Sequence, residues 1–348
     1  MTFNQEIFYL SLVLFSFLSI LFVIFGYLIF TKTRENKNLA KIEQYKEQYQ
    51  LPLFYYLKEG KPIREIDELD SLQRVAFIEL LASFSKTFDG KEIHHQIQLF
   101  AKDHFTSFLR SQLFHRRWSY RMNALYWIEE FRMNHMQSSL IHFLTNTKKL
   151  SKGEEIQALK TLILSGNSTV IERLYSSQNE LSEFEYSMLF QSLNDIQFNE
   201  FITAYKDLPE VMKFAIIDSI GVRRETNFVH FLEELTSHEQ KEIRIRSLKA
   251  LASIEHFVEV SRLIAFLESP LWEERLMAIK ISEYMRKEEF IPPLLPMKDS
   301  SYYVRSQAAQ ALLRMKNGRE LLKMISLTSD DAYARDMAGL WLERSSLA

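Results

Sequence analysis

An all-α fold is predicted for this chain: one apolar N-terminal helix, followed by stacked pairs of amphipathic helices. Three observations predict it. The 348 residues hold only 8 Gly and 7 Pro. Average usage would give roughly 24 and 17. Gly and Pro punctuate hairpins, bulges and strand ends, so a many-stranded β fold is disfavoured. Residues 7–30 contain no charged side chain, and a pattern recurs at intervals of about 30 residues toward the C-terminus.

The apolar run comes first. IFYLSLVLFSFLSILFVIFGYLIF, from Ile7 to Phe30, reaches about 36 Å as a helix, enough for a hydrocarbon core of about 30 Å with some tilt. The residues before it include Glu6 and no Lys or Arg, and no small-x-small cleavage site follows it. A retained anchor is therefore expected, not a cleaved signal peptide. Lys32, Arg34, Lys37, Lys41 and Lys46 follow the span. The positive-inside rule places that side in the cytoplasm and the N-terminus outside. The expected organisation is a short extracytoplasmic tail over 1–6, a transmembrane helix over 7–30, a basic juxtamembrane connector over 31–50, and a helical array over 51–348. Within the connector, Leu39, Ile42 and Tyr49 sit at helical spacing.

The array is read from its period. SPLWEERLMAIKI from Ser269, DSSYYVRSQAAQAL from Asp299 and DDAYARDMAGLWL from Asp330 align on Arg275, Arg305 and Arg335. Ala278, Ala308 and Ala338 each follow three residues later, where a small side chain lets neighbouring helices approach. Arg244 and Arg121 extend the register toward the N-terminus, and Glu155, Glu185 and Lys213 occupy it in degenerate form. Arg74 begins an early copy, and an extra long helix, Lys91 to Arg110, follows it. A stacked array of this kind is expected to need few special backbone conformations. Pro292, Pro293 and Pro296 should shorten one first helix.

The units resemble the HEAT-repeat family in its short form, over roughly residues 70 to 345. The residues carrying the resemblance are Trp272, Arg275 and Ala278, and Tyr302, Val304, Arg305 and Ala308, with Asp299 matching the family's turn aspartate. The resemblance implies a right-handed α-solenoid in which Asp and Arg form a ladder between units. His238, Ser269 and Ser329 stand at the Asp position elsewhere, so an incomplete ladder is expected. Trp272 and Tyr302 are expected in the core. The anchored array is similar to single-pass HEAT proteins of Gram-positive bacteria, some of which accompany membrane glycosyltransferases. That likeness implies an accessory role in polysaccharide assembly.

Little catalytic chemistry is visible. Without Cys there are no thiolate zinc sites, iron–sulfur clusters, Cys nucleophiles or disulfides. The glycine spacing excludes GxGxxG, GxxxxGK[ST] and GxSxG motifs. Among the nine His, only Glu92–His95 forms an ExxH, and His238–Glu239 is a lone pair. No metal or cofactor is expected, and a net charge of −2 with a membrane tether argues against nucleic acid. The outward positions two, five and nine after each aligned Arg carry Arg246, Lys249, Ser253, Met277, Lys280, Tyr284, Gln307, Gln310, Arg314, Met337, Leu340 and Arg344: five basic residues and no acid. This stripe is the expected docking surface for an acidic segment of a protein partner, which makes the chain a membrane-anchored scaffold. The alternatives are an enzyme on a HEAT-like scaffold, a lyase or hydroxylase, and a structural protein lying on anionic lipid.

Overall fold

The computed structural model describes residues 2–347 except positions 64, 65, 67, 68, 89, 148, 168, 176, 178, 258, 295 and 296; the side chains of 2–7, 293, 346 and 347 are also outside the description. The described residues are helical throughout, without a strand. They divide into two compact units, residues 1–167 and 168–348.

The first unit contains α1 (Thr2–Glu59), α2 (Ser71–Thr87), α3 (Lys91–Leu113), α4 (Trp118–Glu130), α5 (Gln137–Asn146) and α6 (Lys152–Leu164). Helix α1 runs unbroken through the apolar run and beyond it. No Gly or Pro lies between Gly26 and Pro52, and Lys, Glu, Gln and Leu fill much of the interval with good helix formers. From Phe8 to Phe30 its large apolar side chains are exposed to the exterior, and none of its apolar window, mean hydropathy 2.7, is buried. It is thus one helix long and apolar enough to cross a membrane, and over this stretch it is not buried in its unit. Past the span a second face takes over. Ile42, Tyr49, Leu53 and Leu57 are buried, while Leu39 stays exposed. Tyr49 meets Phe77 of α2 at 4.7 Å between ring centroids, and Tyr56 meets Phe100 of α3 at 5.2 Å. The segment 31–50 is therefore the middle of one long helix, and its Ile42 and Tyr49 belong to the core of the first unit.

Helix starts follow from side chains that satisfy the first free N–H groups. Asp70 Oδ1 accepts from the N–H groups of Leu72 and Gln73 at 2.7 and 2.8 Å, and Gln73 returns a bond to Asp70. Ser151 with Glu154 forms the same box at α6.

The second unit contains α7 (Val170–Tyr175), α8 (Glu183–Gln191), α9 (Asp195–Thr203), α10 (Glu210–Arg223), α11 (Val229–Leu235), α12 (Lys241–Ile254), α13 (Val260–Leu267), α14 (Trp272–Met285), α15 (Ile291–Leu294), α16 (Tyr302–Leu313), α17 (Gly318–Thr328) and α18 (Ala332–Leu347). Helix α10 packs between α8 and α12, α12 meets α14, α14 meets α16, and α16 meets α18. Helices α11, α13, α15 and α17 each pack on the even-numbered helix that follows. Close approach is built in: a Cβ on Gly221 of α10 would lie 3.0 Å from Ala250 Cα of α12. Ala250, Ala278, Ala308 and Ala338 are buried. Helix α15 is four residues long, in keeping with Pro292 and Pro293; Pro296 lies outside the described residues.

The sequence register has a structural counterpart. Arg74, Arg121, Glu155, Lys213, Arg244, Arg275, Arg305 and Arg335 are each the fourth residue of their helix. Glu185 is the third residue of α8, so there the counterpart is Tyr186. The arginines share one bond. Nη1 of Arg121, Arg244, Arg275, Arg305 and Arg335 donates to the carbonyl six residues earlier: His115, His238, Ser269, Asp299 and Ser329. Each arginine thus ties its own helix to the turn before it.

The forward half of the ladder is more complete than the Asp positions imply. Arg275 holds Asp299 through Nε at 2.6 Å and Nη2 at 2.9 Å. Arg244 lacks such an aspartate and uses Glu274 at 2.8 Å instead, and Ser269 at the Asp position donates to that carboxylate at 2.5 Å. Arg121 likewise bonds Glu154 at 2.6 Å, with Ser151 donating to the same carboxylate. A serine plus a glutamate replaces the aspartate. The ladder fails at Arg305, whose next unit offers Ser329 and Ala334. Among the described residues its buried Nε has no partner, and its guanidinium lies over the Tyr333 ring at 5.1 Å. Ser329→Asp is expected to supply the missing acceptor and stabilise the chain by about 1.5–3 kcal/mol, the value of a hydrogen bond to a charged group. A rise in the urea midpoint at unchanged slope would register it.

Two expectations need correction. Trp272 and Tyr302 are 40% and 49% exposed, not buried. Each is the first residue of its helix, where the side chain tilts toward the N-terminus and past the packed face. Trp272 stacks on Tyr303 of the neighbouring helix at 6.1 Å, and Val304 fills the core position. Special backbone conformations also recur. Eleven residues after the aligned position stand Arg132, Gly166, Arg224, Glu255 and Arg286, all with φ between 48° and 71°. Four of these five left-handed positions are not glycine, so the glycine count does not reveal them.

Candidate protein-docking groove

Helices α10, α12, α14 and α16 place seven of the twelve outward residues around one groove of about 550 Å³: Lys249, Ser253, Met277, Lys280, Tyr284, Gln307 and Gln310. The fourth-residue register turns these side chains to the same side of successive helices. Val222, Ala252 and Met277 supply an apolar floor, and Arg224 adds a third cation. Val222 is 65% exposed and Tyr284 is 41% exposed, so these apolar atoms face solvent.

The stripe is less uniformly basic than its own positions suggest, because acids reach it from neighbouring offsets. Arg246 bonds Glu183 of α8, Asp218 of α10 at 2.6 Å and Glu242 of α12 at 2.6 Å, and lies over Phe214 at 4.6 Å. Its guanidinium clamps three successive even-numbered helices and is engaged within the unit. Burial pushes the Asp218 carboxyl above its ordinary range, against the charges of Lys249 and Arg246, and nearby Glu183 adds to the rise. Glu283, buried, gathers the far wall of the groove. It accepts from Gln307, from Gln310 at 2.9 Å and from Arg314 Nε at 2.9 Å. Arg314 also lies over the Tyr284 ring at 5.9 Å. Arg344 stacks over Trp341 at 5.4 Å on α18 and does not line the groove. Met337, placed outward by the sequence pattern, is buried.

The cations facing solvent are Lys249, with a side chain 62% exposed and Asp218 at 3.6 Å, Arg224, with a side chain 67% exposed and Glu255 at 3.6 Å, and Lys280. These cations stand over the Val222–Met277–Tyr284 floor. Sequence reasoning missed Asp218, Val222 and Arg224, which lie in the Lys213 unit, before the four units whose outward positions were read, and Glu283, which lies off the outward offsets. A buried glutamate flanked one unit later by two glutamines is the signal that could have found Glu283. The histidine motifs have other employment: Glu92 accepts from Gln96 at 3.2 Å, and His238 Nδ1 accepts from the Gln240 N–H at 3.0 Å.

No protein-family model matches the sequence, and no curated protein matches it significantly.

Proposed function

We propose that this chain is a single-pass membrane scaffold. Its N-terminus lies outside, and residues beyond the span form a cytoplasmic right-handed α-solenoid of HEAT-like helix pairs. It holds an acidic segment of a membrane-associated protein partner at the inner face. The observation that favours this reading is the groove itself: Lys249, Lys280 and Arg224 rim an exposed apolar floor on four helices packed in succession. An acidic, partly apolar segment satisfies both features. By the sequence resemblance, a membrane glycosyltransferase is the partner class to test first.

Lys249→Gln/Lys280→Glu is expected to abolish co-purification of the partner from detergent-solubilised membranes while leaving the thermal melt little changed; glutamine is used at 249 because a carboxylate there would face Asp218. Arg314 is kept wild-type in this test, because a carboxylate there would face buried Glu283. Unchanged partner recovery would refute the groove as the docking site. A reporter active only in the cytoplasm, fused after Ala348, is expected to give signal; a silent fusion beside a working external reporter would reverse the orientation.

A further inference from the structure

A second basic surface lies in the first unit, apart from the groove. From Arg110 to Tyr120 and from Thr147 to Lys152 the sequence carries Arg110, Arg116, Arg117, Lys148, Lys149 and Lys152 and no acid, in a chain of net charge −2. The two stretches are joined in space: Trp118 Nε1 donates to Ser151 Oγ at 3.0 Å, and Phe114 packs edge-on against His142 of α5. Arg110, Arg116, Arg117 and Lys149 are exposed, as are Phe114, Trp118 and Tyr120. Arginine beside exposed aromatics is the composition of a membrane–water interface.

The fold places this corner toward the apolar span. Contacts advance together along α1 and α2: Tyr49 meets Phe77, then Phe54 meets Phe84 and Phe88. Along α2 and α3 they run oppositely: Phe77 meets Phe100, and the earlier Arg74 lies over the later Phe108. Helix α3 therefore runs back against the direction of α1. Phe100 touches Tyr56 of α1, and Leu113 lies 13 residues further, about 20 Å along the helix. The distance from Tyr56 back to Phe30 is about 39 Å. The headgroup layer extends about 5–8 Å beyond the hydrocarbon. Loop, arginine side chains and a modest tilt of α1 span what remains, within reach of a Debye length of about 10 Å.

We propose that the α3–α4 corner, with Arg110, Arg116, Arg117, Phe114 and Trp118, and Lys149 beside it, rests on the anionic lipid headgroups of the membrane that α1 crosses. The contact adds a second attachment to the continuous α1 rod and fixes how the first unit stands on the bilayer. It rests on the reading of α1 as a membrane span, and does not depend on the groove.

The chain contains no cysteine, so single labels are clean. Full-length chain carrying Ser119→Cys with a fluorophore is inserted into nanodiscs of phosphatidylcholine, with or without phosphatidylglycerol, each containing a headgroup-linked quencher. Lys91→Cys, at the opposite end of α3, is the distance control. The Ser119→Cys label is expected to lose most of its emission in anionic discs and little in neutral ones, while the Lys91→Cys label stays bright in both. Arg116→Glu/Arg117→Glu should restore the emission, as should about 1 M salt, where the Debye length falls to about 3 Å. Both arginine side chains are exposed, and an unchanged melt confirms that the variant folds. Equal Ser119→Cys emission in the two lipids, or equal quenching of the Lys91→Cys label, would overturn the proposal. If α1 itself is not a span, the chain separates from the discs on gel filtration, a distinct outcome.

Discussion

Arginine at both Leu18 and Leu21 is expected to move the chain from the membrane fraction to the soluble fraction. Both leucines sit near the middle of the apolar run and are exposed with no protein around them. Each arginine at the centre of a span costs about 2.5–3.5 kcal/mol. The pair shifts membrane partitioning by more than about a thousandfold. Sedimentation after alkaline carbonate extraction is the measurement. A double variant that stays in the pellet would mean that something other than residues 7–30 retains the chain. Because α1 continues into the first unit through Ile42, Tyr49, Leu53 and Leu57, the variant should still fold.

Arg275→Ala is expected to be the most damaging single change at the aligned arginines. It removes a bidentate grip on Asp299 and the tie to the Ser269 carbonyl, and leaves a part-buried carboxylate without its counter-ion. Loss of one partner of such a pair costs about 3 kcal/mol, or a melting shift of about 6–10 °C for a unit of this size. Arg305→Ala should cost clearly less, since its Nε already has no partner. Equal shifts for the two variants would contradict the ladder as described. The pH dependence follows. Burial raises the Asp299 carboxyl, but bonds from Arg275 and the Ser301 N–H and the charges of Arg275 and Arg305 outweigh this and hold it below its ordinary value. Its stabilising contribution is present above the unfolded value and is lost as pH falls through the depressed one. Arg275→Ala should remove that part of the acid dependence.

Much of the helical plan was legible. The aligned positions fall at the fourth residue of eight helices, and the 24-residue apolar run matches the exposed stretch of α1. What was not legible depends on contacts between units. The acids around Arg246 come from α8, α10 and α12: Glu183 and Glu242 stand before the aligned position, and Asp218 lies in a unit whose outward positions were not compared. Ser269 with Glu274 replaces an aspartate by two residues acting together, which a single-column reading sees as a gap. The left-handed helix ends escaped because Arg132, Arg224, Glu255 and Arg286 occupy them. Trp272 was misplaced because a residue at a helix start can meet the next helix from outside the core. In the groove, the sequence pattern located Lys249, Lys280 and Tyr284, while the floor at Val222 and the buried Glu283 needed the packed helices to bring them in.

On the proposed reading, the groove holds an acidic protein segment at the membrane. A photo-crosslinking amino acid at Tyr284, exposed beside Lys280 in the groove, tests it in intact cells. One discrete crosslinked protein in the membrane fraction is expected, with a peptide rich in Asp or Glu at the crosslink, and the band should vanish with Lys249→Gln/Lys280→Glu. A crosslinked band that persists in that variant, or no band at all, would contradict the account.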